Sequence, residues 1–368
     1  MGINLAGIIF ANVGEENFPE LTSNRTMASV PFGGKYRLVD FPLSNMSNSG
    51  INNVAIITRK NFHSLLDHVG SGVAWDLSKR RSGLTILSPY GGHSFGHRIE
   101  AIYHLHGYFE QLTEKYILLT TSNYVANVDY QKMYERHRKS GADITLMYKN
   151  MPVSKNAHDP LVFNVDENDV ITQILINPQT EGECACSVGA LIIKKDLLMD
   201  LVRNCMSKNT LDFRKHLLQD NLGNLKMMGY NFEGSISLIH SVDEYYTENM
   251  KLMDKAVRDE IFNPSYPIYT KVRDDAPSKY GLTSVVKGSL VAQGCKIDGE
   301  VENCIISKGV HIGKGAKVKN CIIMQDTIIH SGASINYAII DKDVIVGENK
   351  SLSGTDSYPI YIAKQSNI

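Results

Sequence analysis

Asn303-Cys304-Ile305-Ile306 returns 17 residues later as Asn320-Cys321-Ile322-Ile323. The same offset links Ile306, Ile323 and Ile340; Cys295, Ile312, Ile329 and Val346; and Val301, Val318 and Ile335. Within one return the apolar positions fall six apart, as in Ile306, Ile312 and Val318. One apolar residue per six-residue step is what a parallel β-helix of triangular section requires, because each step makes one flat side and its inward residue fills the core. Two sides of six and one of five account for the 17. An ordinary antiparallel β-domain would show alternation but no fixed long period.

Such a β-helix predicts a platform for assembly, with flat faces and open ends that accept other subunits. Hexapeptide acyltransferases use the same architecture with a histidine projecting from a coil, and His311 and His330 are the candidates here. Surface histidines are the preferred reading, because a large domain of another kind precedes the repeat. Up to about residue 250, short branched apolar runs (Leu5 to Phe10, Val54 to Thr58, Tyr116 to Thr120, Ile144 to Tyr148, Val188 to Ile193) predict buried strands. Between them, Ile99 to Leu112, Tyr130 to Lys139, Asp196 to Met206, Asp212 to Asn221 and Asp243 to Lys255 read as helices. This alternation predicts an α/β domain with a mostly parallel sheet covered on both faces, and ligands beyond the carboxyl ends of its strands. Pro264, Pro267 and Pro277 interrupt any helix in an extended connection. The expected division is therefore 1–262, a linker over 263–284, and the β-helix over 285–368.

A length of 368 residues suits two domains, and 43% hydrophobic with 21% charged residues is ordinary for a globular chain that needs no staples. Thirty-eight basic against 39 acidic residues leave no global field for nucleic acid. Cys184, Cys186, Cys205, Cys295, Cys304 and Cys321 are scattered, which predicts reduced thiols and a cytoplasmic protein. Cys184-x-Cys186 lacks a second ligand pair, so no metal site is expected there. The apolar run near the N-terminus has no basic flank and reads as a first strand rather than a signal peptide. No run approaches membrane-spanning length.

Pro31-Phe32-Gly33-Gly34-Lys35-Tyr36-Arg37-Leu38-Val39-Asp40-Phe41-Pro42-Leu43-Ser44-Asn45, with Asn48-Ser49-Gly50-Ile51 behind it, resembles the signature of the ADP-glucose pyrophosphorylase (glucose-1-phosphate adenylyltransferase) family. The resemblance implies a Rossmann-like nucleotidyltransferase domain followed by a left-handed parallel β-helix, across essentially the whole chain. It also implies glycogen synthesis, with ADP-glucose made from ATP and glucose 1-phosphate as the parent reaction.

That reaction needs backbone amides and cations for the triphosphate and carboxylates for Mg²⁺. Carried over position by position, the family pattern is lost at five places. Its Gly-Gly-x-Gly-x-Arg loop falls on Asn12-Val13-Gly14-Glu15-Glu16-Asn17, so Asn17 stands for the arginine and two glutamates face the phosphates. Its lysine-proline pair falls on Met27-Ala28, and the aspartate of its Gly-Asp-His on Asn123. The sugar-phosphate lysine falls on Asn177 and the second metal aspartate on Leu238. The implied protein is a GlgD-type regulatory subunit that needs no Mg²⁺ itself and sits with a catalytic subunit in a hetero-oligomer, expected to be a tetramer; self-association into a homo-oligomer is the alternative.

Arg25, Lys35 and Arg37 match positions that, in similar proteins, lie in or near a pocket for small anionic effectors between the domains; the other reading is that they pair with surface carboxylates or hold the signature loop in shape. The family's further lysine falls on Asn53. Asp212 is expected to cap a helix. Two alternatives remain: a divergent active enzyme that recruits Arg59 or Arg98 to the phosphates, and a β-helix scaffold without ligand.

Overall fold

The computed structural model describes residues 3–78, 82–89, 95–157, 160–179, 182–272 and 274–368. Its N-terminal domain is built on a nine-stranded sheet. Leu5–Phe10 lies at the centre, parallel to Val54–Ile57 on one side and to Tyr116–Thr121 on the other. Leu84–Leu87 extends the sheet in parallel beyond Val54–Ile57. On the other flank the long strand Glu183–Lys194 runs antiparallel to Tyr116–Thr121, to Ile144–Pro152 and to Leu161–Val165. Met227–Asn231 pairs in parallel with Ile144–Pro152, and Ile171–Ile176 closes a hairpin on Leu161–Val165. All the strands except Glu183–Lys194 and Ile171–Ile176 point one way, so the predominantly parallel sheet expected from the alternation is present.

Leu5–Phe10 is buried throughout because both faces are covered. Ala6, Ile8 and Phe10 join one core with the helices Arg98–His104 and Lys195–Ser207. Leu5 and Ile9 join the opposite core with Asp40–Asn48 and Tyr130–Ser140. Two helices are shorter than their periodicity suggests. The segment read as Ile99 to Leu112 breaks at Leu105, where the His106 ring takes up the Tyr103 carbonyl at 3.0 Å. The segment from Asp243 breaks at Asp254, whose side chain caps a new helix, Lys255–Ile261. Phe213–Leu218 winds as a single π turn with Asp212 as its cap.

The C-terminal domain is a parallel β-helix in which the middle coils pair 17 residues on, as Glu300↔Lys317, Ile306↔Ile323 and His311↔Ile328 show. The coil before them steps by 15, as in Val285↔Glu300, Leu290↔Ile305 and Ile297↔Ile312, and Ala338 pairs with Ile360. The sequence columns are its inner faces: Val301, Val318 and Ile335; Ile306, Ile323 and Ile340; Ile312, Ile329 and Val346 are all buried in one cluster. Cys295 lies in that cluster too, but the residue in register with Ile312 is Ile297, not Cys295 as the 17-residue offset suggested. The first strand, Lys279–Tyr280, already pairs with Lys296–Ile297, so the β-helix begins inside the stretch read as linker. The repeated tetrapeptide has a part for every residue. Asn303 and Asn320 turn the corner in the left-handed region (φ 52° and 51°) and are linked by a side-chain hydrogen bond of 2.7 Å. Cys304 and Cys321 point inward, as do Ile306 and Ile323. Ile305 and Ile322 point outward onto the N-terminal domain. Ile323→Val is expected to cost ~0.5–1.5 kcal/mol in urea unfolding, the value for one methyl lost from a packed core; an unchanged midpoint would place Ile323 outside the packed column.

The domains share a third core. Phe18, Leu21, Met27, Phe32, Phe41 and Tyr245 meet Ile305, Ile322, Met324 and Ile339 of the β-helix. Polar ties reinforce it: Arg25 Nη2 donates to both oxygens of Asp341 at 2.8 Å, and Tyr246 Oη donates to the Asn320 carbonyl at 2.8 Å. The connecting segment lies along the N-terminal domain, with Asn48 Nδ2 on the Pro267 carbonyl and the Tyr269 N–H on Ser44 Oγ.

Candidate functional site

The signature loop shows what its residues do without any substrate. Pro31–Phe32 and Tyr36–Arg37 form a short hairpin whose turn is Gly33-Gly34, with φ of 59° and 82°. A Cβ on Gly33 would come within 2.9 Å of Leu252, and one on Gly34 within 3.4 Å of the Ile306 carbonyl, so glycine lets the hairpin lie against the β-helix. Asp40, fully buried, accepts from the Arg37 N–H at 2.9 Å and meets His68 Nε2 at 2.6 Å. Burial pushes the His68 imidazole below its ordinary value, against the pull of Asp40. Asn45 Nδ2 donates to the Ala126 carbonyl at 2.9 Å.

Beyond the carboxyl ends of the parallel strands lies the loop carrying Asn12 to Asn17. Asn12 Oδ1 accepts from the Arg59 N–H at 2.7 Å, and Asn12 Nδ2 donates to Glu15 Oε1 at 2.6 Å. The same Glu15 oxygen accepts from the Met27 N–H at 3.0 Å. The Glu15 carboxylate thus ties the loop, through Asn12, to the amide of Met27 beyond it. Burial holds the Glu15 carboxyl above the ordinary carboxylate range, and the hydrogen bonds from Asn12 and Met27 oppose this. The sign for stability follows: a raised folded value makes the protonated form the favoured one, so stability is lost as pH rises through the Glu15 titration. Glu15→Gln, which keeps an acceptor for Met27, is expected to raise stability at neutral pH by up to ~1 kcal/mol and to lose that advantage in acid, as read from melts across pH. A neutral-pH loss would contradict this account.

Of the replaced positions, Met27 is buried in the interdomain core and Asn17 sits in the loop. Asn123 and Leu238 are brought together: the strands Tyr124–Ala126 and Ile236–Leu238 pair with Leu238 opposite Tyr124, and the Ile239 N–H donates to the Asn123 carbonyl at 3.0 Å. Gly14 approaches the same place, its position for a Cβ being 3.9 Å from Asn123 Nδ2. Asn177 is exposed at the end of Ile171–Ile176 in the left-handed region, φ 54°, and its N–H donates to the Pro160 carbonyl. Asp212 caps its π turn, accepting from the Arg214 and Lys215 N–H groups. His311 is half-buried and His330 exposed.

Of the three cations expected to bind an anion, Lys35 and Arg37 line one interdomain cavity of about 410 Å³. Arg25 is a correction to that expectation: it lies outside the cavity lining, 4% exposed, held by Asp341. Nor is its partner a surface carboxylate, the other reading of such a residue, because Asp341 is 1% exposed. Three lysines in the cavity were not anticipated, namely Lys271 from the connection and Lys308 and Lys342 from the β-helix; Asp67 and Asp343 are the acids. Arg37 Nη1 donates to the Ser64 carbonyl and hydroxyl, and Lys271 Nζ to the Asp67 carbonyl. Among the described residues Lys342 Nζ makes no hydrogen bond; burial, then Arg37 and Arg25, push its ammonium down to about 7. The 17-residue spacing held the signal for part of this set, because Lys308, Gln325 and Lys342 stand one coil apart on the face toward the signature hairpin.

Comparison with known proteins defines the class first. A nucleotidyl transferase family model matches residues 15–255, and a model of the GlmU-like C-terminal hexapeptide matches 274–357. The chain is 35% identical over 317 residues to glycogen biosynthesis protein GlgD of Bacillus subtilis (strain 168), covering 85% of this chain and 82% of the relative. It is 34% identical over 327 residues to the GlgD of Geobacillus stearothermophilus, covering 86% and 83%. It is 33% identical over 316 residues to the glucose-1-phosphate adenylyltransferase of Halalkalibacterium halodurans, covering 84% and 82%. The chain belongs to the nucleotidyltransferase family, in the group that holds the GlgD proteins and the glucose-1-phosphate adenylyltransferases.

The Mg²⁺ of that chemistry does not fit the residues present. Magnesium wants several oxygen ligands with carboxylates supplying the charge. Asn123 Oδ1 already accepts from the Thr121 hydroxyl at 2.7 Å, and Leu238 has no side-chain oxygen to offer. Among the described residues no group of three or more His, Cys, Asp or Glu is placed to hold a metal ion, and no helix is long and apolar enough to cross a membrane.

Proposed function

We propose that the chain is a regulatory subunit of glucose-1-phosphate adenylyltransferase in bacterial glycogen synthesis, without catalysis of its own and acting on a catalytic partner in a hetero-oligomer. The observation that carries this reading is the placement of Asn123 and Leu238, onto which the family resemblance puts metal carboxylates: Leu238 pairs with Tyr124 across the antiparallel strands Tyr124–Ala126 and Ile236–Leu238, the Ile239 N–H reaches the Asn123 carbonyl, and neither residue bears a carboxylate. The loop closed on itself by Glu15 supports it, as do relatives named GlgD. The interdomain cavity supplies the means of modulation. Its cations outnumber its acids, and it touches the signature hairpin, the connection and the β-helix together, so a small anion bound there would bias how the domains sit.

The test is co-purification with a catalytic adenylyltransferase subunit from the same source, followed by its effector response with and without this chain. The expected result is a stable complex whose response to a phosphorylated effector weakens when Lys35 and Lys342 are replaced by alanine. Failure to associate, or a response indifferent to both changes, contradicts it. Because Lys342 is half-charged near neutrality, anion affinity is expected to fall as pH rises through 7 and to lose that dependence in Lys342→Gln.

A further inference from the structure

Cys184 and Cys186 stand two apart on the long strand Glu183–Lys194, and alternation along a strand puts both side chains on one face. In the antiparallel ladder Met151 lies directly opposite Cys184, and Lys149 opposite Cys186, so these side chains share that face. Burial follows the same alternation: Lys149, Met151 and Cys184 are half-buried and Cys186 is buried, whereas Asn150, Pro152 and Glu183 are exposed. The cluster is open to solvent at Cys184 and closed at Cys186.

Both thiols are free; Cys186 Sγ donates to the Met151 carbonyl at 3.4 Å and Cys184 Sγ to the Gly182 carbonyl at 3.8 Å. Alternate residues of a strand have Cα atoms about 6.5–7 Å apart, at the outer limit for a disulfide, whose sulfurs must meet at about 2 Å. With a metal ion between them at about 2.3 Å from each, two sulfurs stand up to about 4.6 Å apart, a span that side chains leaning together can close. The second ligand pair of a tetrahedral zinc site is absent from the sequence; what spacing alone does not convey is that the ladder sets a thioether beside the thiols. Glu183, the neighbouring acid on the strand, belongs to the other face. Sulfur donors without a carboxylate suit a soft monovalent cation, rather than Zn²⁺ with its four ligands or a hard cation with its oxygens. Lys149 Nζ, on the Glu233 and Gly234 carbonyls at 3.4 and 2.9 Å, adds a positive charge to this face. It offsets the one negative charge left when two thiolates take up a monovalent ion.

We propose that Cys184, Cys186 and Met151 form a three-sulfur site for a soft monovalent cation of the Cu(I) kind. Binding releases two thiol protons to water and makes two thiolate–metal bonds, with the Met151 thioether as the third donor and no change of oxidation state. None of the three lines the interdomain cavity, so the site stands or falls independently of the regulatory reading.

The probe is Cu(I) as its coloured bicinchoninate complex, titrated with the full-length chain in ascorbate without oxygen. The chain is expected to withdraw one equivalent. Cys184→Ser and Cys186→Ser are each expected to weaken this step by at least about tenfold, and Met151→Leu by a smaller factor. Cys205, Cys295, Cys304 and Cys321 are 4% exposed or less, so Cys304→Ser is expected to leave it unchanged. Equimolar Zn²⁺ is expected not to displace the bound ion. Failure to withdraw Cu(I) overturns the proposal, as does an affinity unchanged in Cys184→Ser or Met151→Leu, or one lost in a folded Cys304→Ser. Circular dichroism checks the Cys186 variant; should it misfold, Cys184→Ser decides.

Discussion

Arg25→Ala is expected to lower the unfolding free energy by about 3–5 kcal/mol, the usual cost of removing one partner from a buried ion pair. Arg25 and Asp341 are 4% and 1% exposed, so water cannot replace the lost guanidinium. Asp341 would keep the Tyr361 hydroxyl at 2.8 Å and the Lys342 N–H at 2.7 Å, which places the cost toward the lower end. The double change Arg25→Met with Asp341→Leu removes both charges and is expected to recover most of the loss, because a buried pair is of little net benefit over apolar groups of similar volume. Denaturant unfolding of both variants separates the two effects. A loss under about 1 kcal/mol in Arg25→Ala would mean that the pair is open to solvent.

Ile322→Asp is expected to have a larger effect, on the order of 4 kcal/mol or more. Burial of the isoleucine is worth about 1.5–3 kcal/mol, and a carboxylate in its place adds a desolvation cost. Ile322 is 2% exposed and packs with Phe18, Phe32 and Tyr245 in the core shared by the two domains. Its neighbour Ile323 points the other way, into the β-helix. The loss is therefore expected as separation of the domains, read by protease cleavage of the 263–284 segment, while the β-helix keeps its own core. Cleavage at the wild-type rate would contradict the assignment of Ile305, Ile322 and Ile339 to the interface.

Much of this fold is legible in the chain. A repeat of 17 conveys the strand register and inner columns of the coils from Glu300 to Val346, where a one-residue slip would turn the core residues outward, but not of the preceding coil, where Ile297 rather than Cys295 meets Ile312. The first strand is legible too, since a strand buried on both faces leaves an unbroken apolar run. What periodicity cannot convey is which outward residues meet another domain. Ile305 and Ile322 look like any exposed branched residue in the pattern, and Arg25 finds its partner 316 residues away. Helix ends fail for a related reason: the side chains of His106 and Asp254 compete for backbone groups on terms that only the folded neighbourhood sets.

The candidate site divides in the same way. The departures that the resemblance implies at Asn17, Met27, Asn123, Asn177 and Leu238 are legible in sequence because each sets a neutral residue where the family pattern has a charged one. Reading Glu15 as charge facing phosphates misses its actual use, which is to accept from Met27 and close the loop. Grouping Arg25 with Lys35 and Arg37 follows their closeness in sequence, whereas the fold sends Arg25 into a buried pair and brings Lys342 in its place. The retained signature is then intelligible without catalysis, because Gly33, Gly34, Asp40, Ser44, Asn45 and Asn48 each hold a piece of scaffold.

The central claim is that the scaffold of the nucleotidyltransferase family persists here while its chemistry does not. Its most direct test is the rate of ADP-glucose formation by the purified chain alone, with ATP, glucose 1-phosphate and Mg²⁺ all saturating. The account predicts no turnover above a no-enzyme control, with activity appearing only when a catalytic subunit is added. Robust turnover by the isolated chain, abolished by Arg59→Gln or Arg98→Gln, would contradict it and would make the chain a divergent enzyme.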